Sequence, residues 1–374
     1  MQNIGFRIVA FIVMASFICC YGKGAEMKNA VLIIMLLVTS SVFSDIISKK
    51  EQAFWDQFSK QDISLLQPYA DNGFIKGNYW FGKHPIVEAF WIGWKSGAEW
   101  LIENGIKQTI EINESKSQDV CISLIGINSG EGAIYLLNKR KIVTDEIIEA
   151  VIRNSKSTVL IDLVLALCGD INKYIVEDIQ RSRDYAGPID TNYLYTFASY
   201  AAKNNNIVSL QCVYKAGGDV NSLSYGFKPG RFEYGAAVPF VFTTLDLVKG
   251  NIKQENEDRY KPFKPNEELL KYLISISAKE FVIDNVLEYP YLKDLIKEIE
   301  RKGYYFIARR DVKLYELPRE KSFVNIEYKN VTKIYLIDRY QTGTEYTWYF
   351  VVDEGLNIGW IKNNNIWRFG LLCG

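Results

Sequence analysis

The segment Thr196–Asn221, TFASYAAKNNNIVSLQCVYKAGGDVN, limits what this chain can fold into more than any other. A threonine opens a short helix of small residues around Ala201 and Ala202. Three asparagines, Asn204 to Asn206, make a polar turn. A second, more apolar helix follows and stops at Gly217-Gly218. Two short helices folded back on each other leave apolar faces that neither covers, so the unit requires neighbours of its own kind.

A second copy stands more than a hundred residues earlier. Lys83-His84-Pro85-Ile86-Val87-Glu88-Ala89 has the form T-P-L-H-x-A, with His84 in the place of threonine. Counted from Ala89, Gly93 stands at +4, Leu101-Ile102 at +12 and +13, and Gly105 at +16. Counted from Ala201, Asn205, Val213-Tyr214 and Gly217 occupy the same offsets. Weaker copies begin at Asp119–Leu124, with Leu136-Leu137 at the expected offset, at Thr158–Val176, and at Thr243–Val248 with a second helix over Glu267–Ile276. This pattern resembles the ankyrin repeat. The resemblance implies an all-α solenoid over residues 75–300, a helical cap over 45–74 and a polar insertion over 250–265. The cap carries Phe54, Trp55, Phe58, Leu65, Leu66 and Tyr69 at near-helical spacing. The intervals exceed the usual 33 residues: Ala89 to Leu124 is 35 and Ala201 to Val248 is 47. Longer connections are therefore expected.

The periodicity changes near Gly303. Short alternating runs replace helical spacing at Val312–Tyr315, Lys333–Ile337 and Trp348–Val352. Val312, Leu314 and Tyr315, then Pro318 and Ser322, then Trp348-Tyr349 with Val351, and finally Ile358-Gly359-Trp360-Ile361 resemble a bacterial SH3 domain. The resemblance implies a small all-β barrel over 303–374. The usual L-N-V-R run is replaced by Val312-Lys313-Leu314-Tyr315, so the family's ligand does not carry over.

Composition sets the class of partner. Of 374 residues, 44 are Lys or Arg and 44 are Asp or Glu, a net charge of zero. A nucleic-acid binder normally carries a basic excess. Residues 1–44 hold two apolar runs, Ile8–Cys20 and Ala30–Val38. The second reads as a secretory signal: Lys28 before it, a run too short to span a bilayer, and Val42-Phe43-Ser44 as a cleavage site. The tandem arrangement points to a translation start at Met27; a membrane anchor over Ile8–Val38 is the rival. Export to the periplasm or cell envelope is the expected location. Beyond residue 44 four cysteines remain, Cys121, Cys168, Cys212 and Cys373, none spaced as C-x-x-C. An exported chain permits disulfides among them, but the spacing selects no pairs.

Little in the chain suggests chemistry. The single histidine, His84, sits where a repeat opens and is expected to be structural; most Ser-His-Asp and Cys-His mechanisms fall with it. No cofactor or metal site is expected. Glu131, Glu146, Glu149 and Asp162 are carboxylates without a distinguishing context. The recognition candidates are Trp91 and Trp94, from an aromatic cluster that includes Tyr79, Trp80, Phe81, Phe90 and Trp100; Asp219 and Asn221 at a repeat tip; and Tyr315 and Tyr349 in the barrel, with Trp360 in its core. Phe90, Trp91 and Trp94 cannot share one helix face, so at least one points away from the core.

The expected function is that of an exported, non-enzymatic binding or scaffold protein of the bacterial envelope. The stack would hold a protein partner, and the barrel a peptide or wall ligand. The alternatives are a cell-wall hydrolase targeted by the barrel and an immunity or inhibitor protein.

Overall fold

The computed structural model describes residues 49–77, 79–80, 84–113, 116–179, 191–228, 238–250, 266–342 and 346–368. The expected signal region, most of the 250–265 insertion and Cys373 lie outside them. The chain divides into two compact units, 1–118 and 119–374. Among the described residues no helix is long and apolar enough to cross a membrane.

The first unit opens with α1 (49–58) and α2 (Ile63–Asp71), the latter capped by the Asp62 carboxylate on Ser64 N–H at 2.9 Å. Phe54 packs against Phe58, Tyr69 and Phe74 with ring centroids 5.3 to 5.9 Å apart, which joins these helices in one aromatic knot. A helix pair follows, α3 (Pro85–Trp91) and α4 (Lys95–Glu103). A small sheet, β1 (Tyr79–Trp80), β2 (Thr109–Asn113) and β3 (Lys116–Asp119), completes this part, with β1 and β2 parallel.

The second unit stacks four more helix pairs: α5 (Val120–Gly126) with α6 (Gly130–Arg140), α7 (Asp145–Asn154) with α8 (Thr158–Cys168), α9 (Phe197–Lys203) with α10 (Ile207–Lys215), and α11 (Thr244–Lys249) with α12 (Glu267–Ser275). First helices adjoin first helices in the order α5, α7, α9, α11, and second helices adjoin in the order α6, α8, α10. The turn inside three of the chain's pairs needs one residue in the left-handed region. Gly93, Asn128 and Asn205 supply it, with φ of 74°, 59° and 52°. Side chains tie successive pairs together. The buried Asn206 amide donates to Ile152 O at 2.9 Å and Ser155 O at 2.8 Å, while its oxygen caps α10 on Ser209 N–H. Thr243 and Asp246 form a capping box at α11, and Asp246 also accepts from Phe281 N–H at 2.9 Å.

The stack is not all-α. Thr158–Val176, expected as one helical repeat, is helix only to Cys168 and becomes strand at Tyr174. The long connections are hairpins: β4 (Tyr174–Ile179), β5 (Thr191–Thr196), β6 (Ser224–Lys228) and β7 (Val238–Phe242) form one antiparallel sheet in chain order. Side chains alternate between its faces. One face carries Tyr193, Tyr195, Phe240 and Phe242; Tyr193 meets Phe240 edge-on across Gly226, with centroids 5.8 Å apart. A Cβ on Gly226 would lie 2.1 Å from the Phe240 ring, so the bare strand position makes that crossing.

The other face of this sheet shares a buried core with strands that follow residue 303. Tyr174, Leu194, Tyr225 and Val241 belong to the same buried core as Leu295 and Ile299 of α13 (Leu292–Arg301) and as Leu336 and Val351 of the C-terminal strands. Those strands are β8 (Phe306–Ala308), β9 (Val312–Tyr315), β10 (Val324–Tyr328), β11 (Thr332–Thr342), β12 (Tyr346–Asp353), β13 (Ile358–Lys362) and β14 (Ile366–Arg368). They form an antiparallel sheet in the order β10-β9-β13-β12-β11-β8-β14, open at both ends among the described residues rather than the closed barrel expected.

Asn206→Ala removes a buried cap and leaves two carbonyls of the α7–α8 turn without that donor. It should cost about 2–3 kcal/mol, read as an earlier denaturation midpoint by circular dichroism.

Candidate functional site

Cross-strand pairing in the C-terminal sheet collects aromatic side chains on one face. Trp360 on β13 stands opposite Tyr315 on β9 and Phe350 on β12, and Trp348 stands opposite Tyr340 on β11 and Lys362 on β13. Paired residues share a face, so these side chains lie in two adjoining rows. Trp360 meets Phe350 and Tyr340 edge-on, at 5.4 and 6.3 Å between centroids, and Tyr315 meets Trp348 at 5.5 Å and 88°. Tyr340 is exposed, and Tyr315 and Trp360 are half-buried. Val324 on β10 stands opposite Tyr315 and is exposed, as are Leu317 and Phe323 in the β9–β10 connection, Phe323 at 82%. That is unusual for phenylalanine, and the three add exposed apolar surface to this end of the sheet.

Of the six recognition candidates, Tyr315 alone lies on this face. Tyr349, expected outside, is 1% exposed and points into the core; burial pushes its hydroxyl up to about 12. Trp360, expected in the core, is on the face. In the first unit Trp91 is 66% exposed, whereas Trp94 is 7% exposed and packs edge-on against Phe58 at 5.2 Å. Trp94 therefore belongs to the cap's core. Asp219 and Asn221 serve the backbone: Asp219 accepts from Asn221 N–H at 2.8 Å, and Asn221 accepts from Lys279 N–H at 2.7 Å, fastening one repeat tip to the next.

A second cluster, not singled out from the sequence, lies on the stack. The Tyr200 hydroxyl donates to Glu149 Oε1 at 2.9 Å and accepts from Arg153 Nε at 2.8 Å. Arg153 pairs with Glu149, and Lys203 pairs with Glu177 and lies 5.0 Å over the Tyr195 ring. Burial, then the Glu149 charge, raise the Tyr200 hydroxyl above its ordinary range, so it remains a donor at neutral pH. The i, i+4 spacing of Glu149 and Arg153 was visible in the chain; the arrival of Tyr200 from α9 was not.

The groups with most chemical potential are engaged in structure. His84 Nδ1 accepts from Ile86 N–H at 3.2 Å, and Nε2 donates to Lys107 O at 2.7 Å. It is the N-cap of α3, as its repeat-opening position implied. Burial pushes the Cys121 thiol up to about 12 and, with the Asp162 charge second, the Cys212 thiol up to about 11. Neither is a thiolate at neutral pH. Glu149 is held by Arg153 and Tyr200, while Glu131 and Glu146 lie on exposed helix surface. Among the described residues no group of His, Cys, Asp or Glu is arranged to hold a metal ion. Neither a protein-family model nor a curated protein sequence matches the chain.

Burial, outweighing its bond to Lys107 O, lowers the His84 pKa from 6.5 to about 4. The unfolded chain then binds the extra proton first, so the contribution of this residue is full above pH 6.5 and declines as pH falls toward 4. The imidazole resonance in a proton NMR titration of this single-histidine chain should stay at its neutral position through pH 5. His84→Asn, which keeps a cap acceptor, should flatten the dependence of unfolding on pH across that window.

Proposed function

We propose that this chain is an exported, non-enzymatic binding or scaffold protein of the bacterial periplasm or envelope. Its stacked helix pairs hold a protein partner, and the aromatic face of its C-terminal sheet holds an extended peptide or a wall peptide. The observation that carries the reading is the gathering of Tyr315, Trp360 and Tyr340 on one sheet face, with the exposed Val324 opposite Tyr315. Partly exposed aromatic rings at close spacing offer large contact area at little entropic cost, and extended peptides dock in such grooves. The resemblance to bacterial SH3 domains agrees with this use, although their closed barrel is replaced here by an open sheet.

For the stack, the repeated helix pairs and the tip-to-tip bonds support an ankyrin-like scaffold. Arg153, partly exposed and held in place by Glu149 and the buried Tyr200 hydroxyl, adds a preorganised guanidinium to the stack, and arginine is frequent in recognition hot spots.

Purified protein incubated with peptidoglycan sacculi should sediment with them and release no soluble fragments. Tyr340→Ala should weaken retention by about tenfold, the loss expected for one aromatic contact of about 1.4 kcal/mol, with little change in the thermal melt, while Trp360→Ala, packed against Phe350, should weaken retention and also lower the melt. Released fragments would instead establish the hydrolase, and one stoichiometric envelope enzyme in a pull-down would favour the inhibitor.

A further inference from the structure

Trp348 poses a geometric question. Its pairing with Tyr340 and Lys362 puts it on the same face as Tyr315 and Trp360, yet it is 3% exposed. Two side chains seen on it are the Tyr315 ring, edge-on at 5.5 Å, and the Lys362 ammonium, 5.6 Å from the centre of the indole. Lysine is long and conformationally free, and a single cation–π contact at a surface is weak, so the stem needs an anchor to stay in place. Glu320 provides it: its carboxylate pairs with Lys362 Nζ.

Glu320 lies on the 316–323 connection, whose own framework is firm. Glu316 N–H donates to Phe323 O at 2.9 Å, Leu317 N–H to Ser322 Oγ at 3.0 Å, and Ser322 N–H to Arg319 O at 3.1 Å. The loop is thus a fixed post rather than a loose strap, and the movable part is the lysine side chain. Glu320 remains largely exposed, at 64% of its side chain, so the pair is open to screening by salt and contributes little to global stability.

We propose that the Glu320–Lys362 ion pair is a latch that keeps the Trp348 ring out of the aromatic face, and that its release extends that face by one indole between Tyr315 and Tyr340. The inference rests on the reading of this face as the binding site. The closed form offers Tyr315, Trp360 and Tyr340; the open form joins the two rows into a longer platform. A ligand that inserts an apolar or aromatic group under Lys362, or that offers Lys362 a competing carboxylate, shifts the equilibrium by its preference for the open form.

Hydroxyl-radical footprinting read by mass spectrometry on the full chain tests this at Trp348, resolved from the other tryptophans by peptide mapping. Glu320→Gln should raise Trp348 oxidation roughly twofold to fivefold, the range that an exposed ion pair allows. Raising salt to 1 M should do the same to the unsubstituted protein and nothing further to the variant. Trp348 oxidation that ignores both salt and Glu320→Gln overturns the latch. Sacculus retention, measured on the same samples, reports separately on the binding face: its absence in every variant would sink that reading while the Trp348 labelling still decides the latch.

Discussion

The helical stack depends on what happens at the residue where an extended segment becomes a first helix. His84, Asp119, Thr196 and Thr243 each sit at that junction with non-helical backbone, and each side chain accepts from an amide of the first turn. An isolated helix of six or seven residues is unstable in water, because nucleation costs more than so few hydrogen bonds return. The cap lowers that cost, and burial against the next pair supplies the rest. His84 also reaches Lys107 O, and Thr243 Oγ1 lies 2.7 Å from Lys279 O, so two of these caps also fasten the following turn.

Much of the stack was legible because its constraints are local. The offsets +4 and +16 from Ala89 and Ala201 mark places where the chain reverses. At those offsets Gly93, Asn205, Gly105 and Gly217 all have positive φ. Small and polar residues announce such positions whatever they pack against. The hairpin strands were not legible, because β4 and β5 are paired across eleven intervening residues and draw their stability from a face buried by a distant part of the chain. Tyr174 and Leu194 meet Leu336 and Val351 in one core, and nothing near them in sequence records that.

The exchange of roles between Tyr349 and Trp360 has a simpler cause. Successive residues of a strand face opposite ways, so a one-residue difference in register turns every side chain over. Trp348-Tyr349 presents two aromatics in a row, and neither composition nor spacing says which is outward. The pairing of Trp360 with Tyr315 and Phe350 decides it, together with the irregularity between Leu336 and Asp338 that resets β11. At the tip the sequence marked positions whose side-chain oxygens accept from backbone amides: Asp219 from Asn221 and Asn221 from Lys279.

The common core of the hairpin sheet and the C-terminal strands has a practical consequence for anyone cutting this protein into pieces. Scissors applied at Gly303 would strip Tyr225, Val241 and Leu194 of their cover and leave an apolar slab in water. The two fragments would clump, each for want of the other. Surface substitutions within the intact chain, not truncations, leave that core covered.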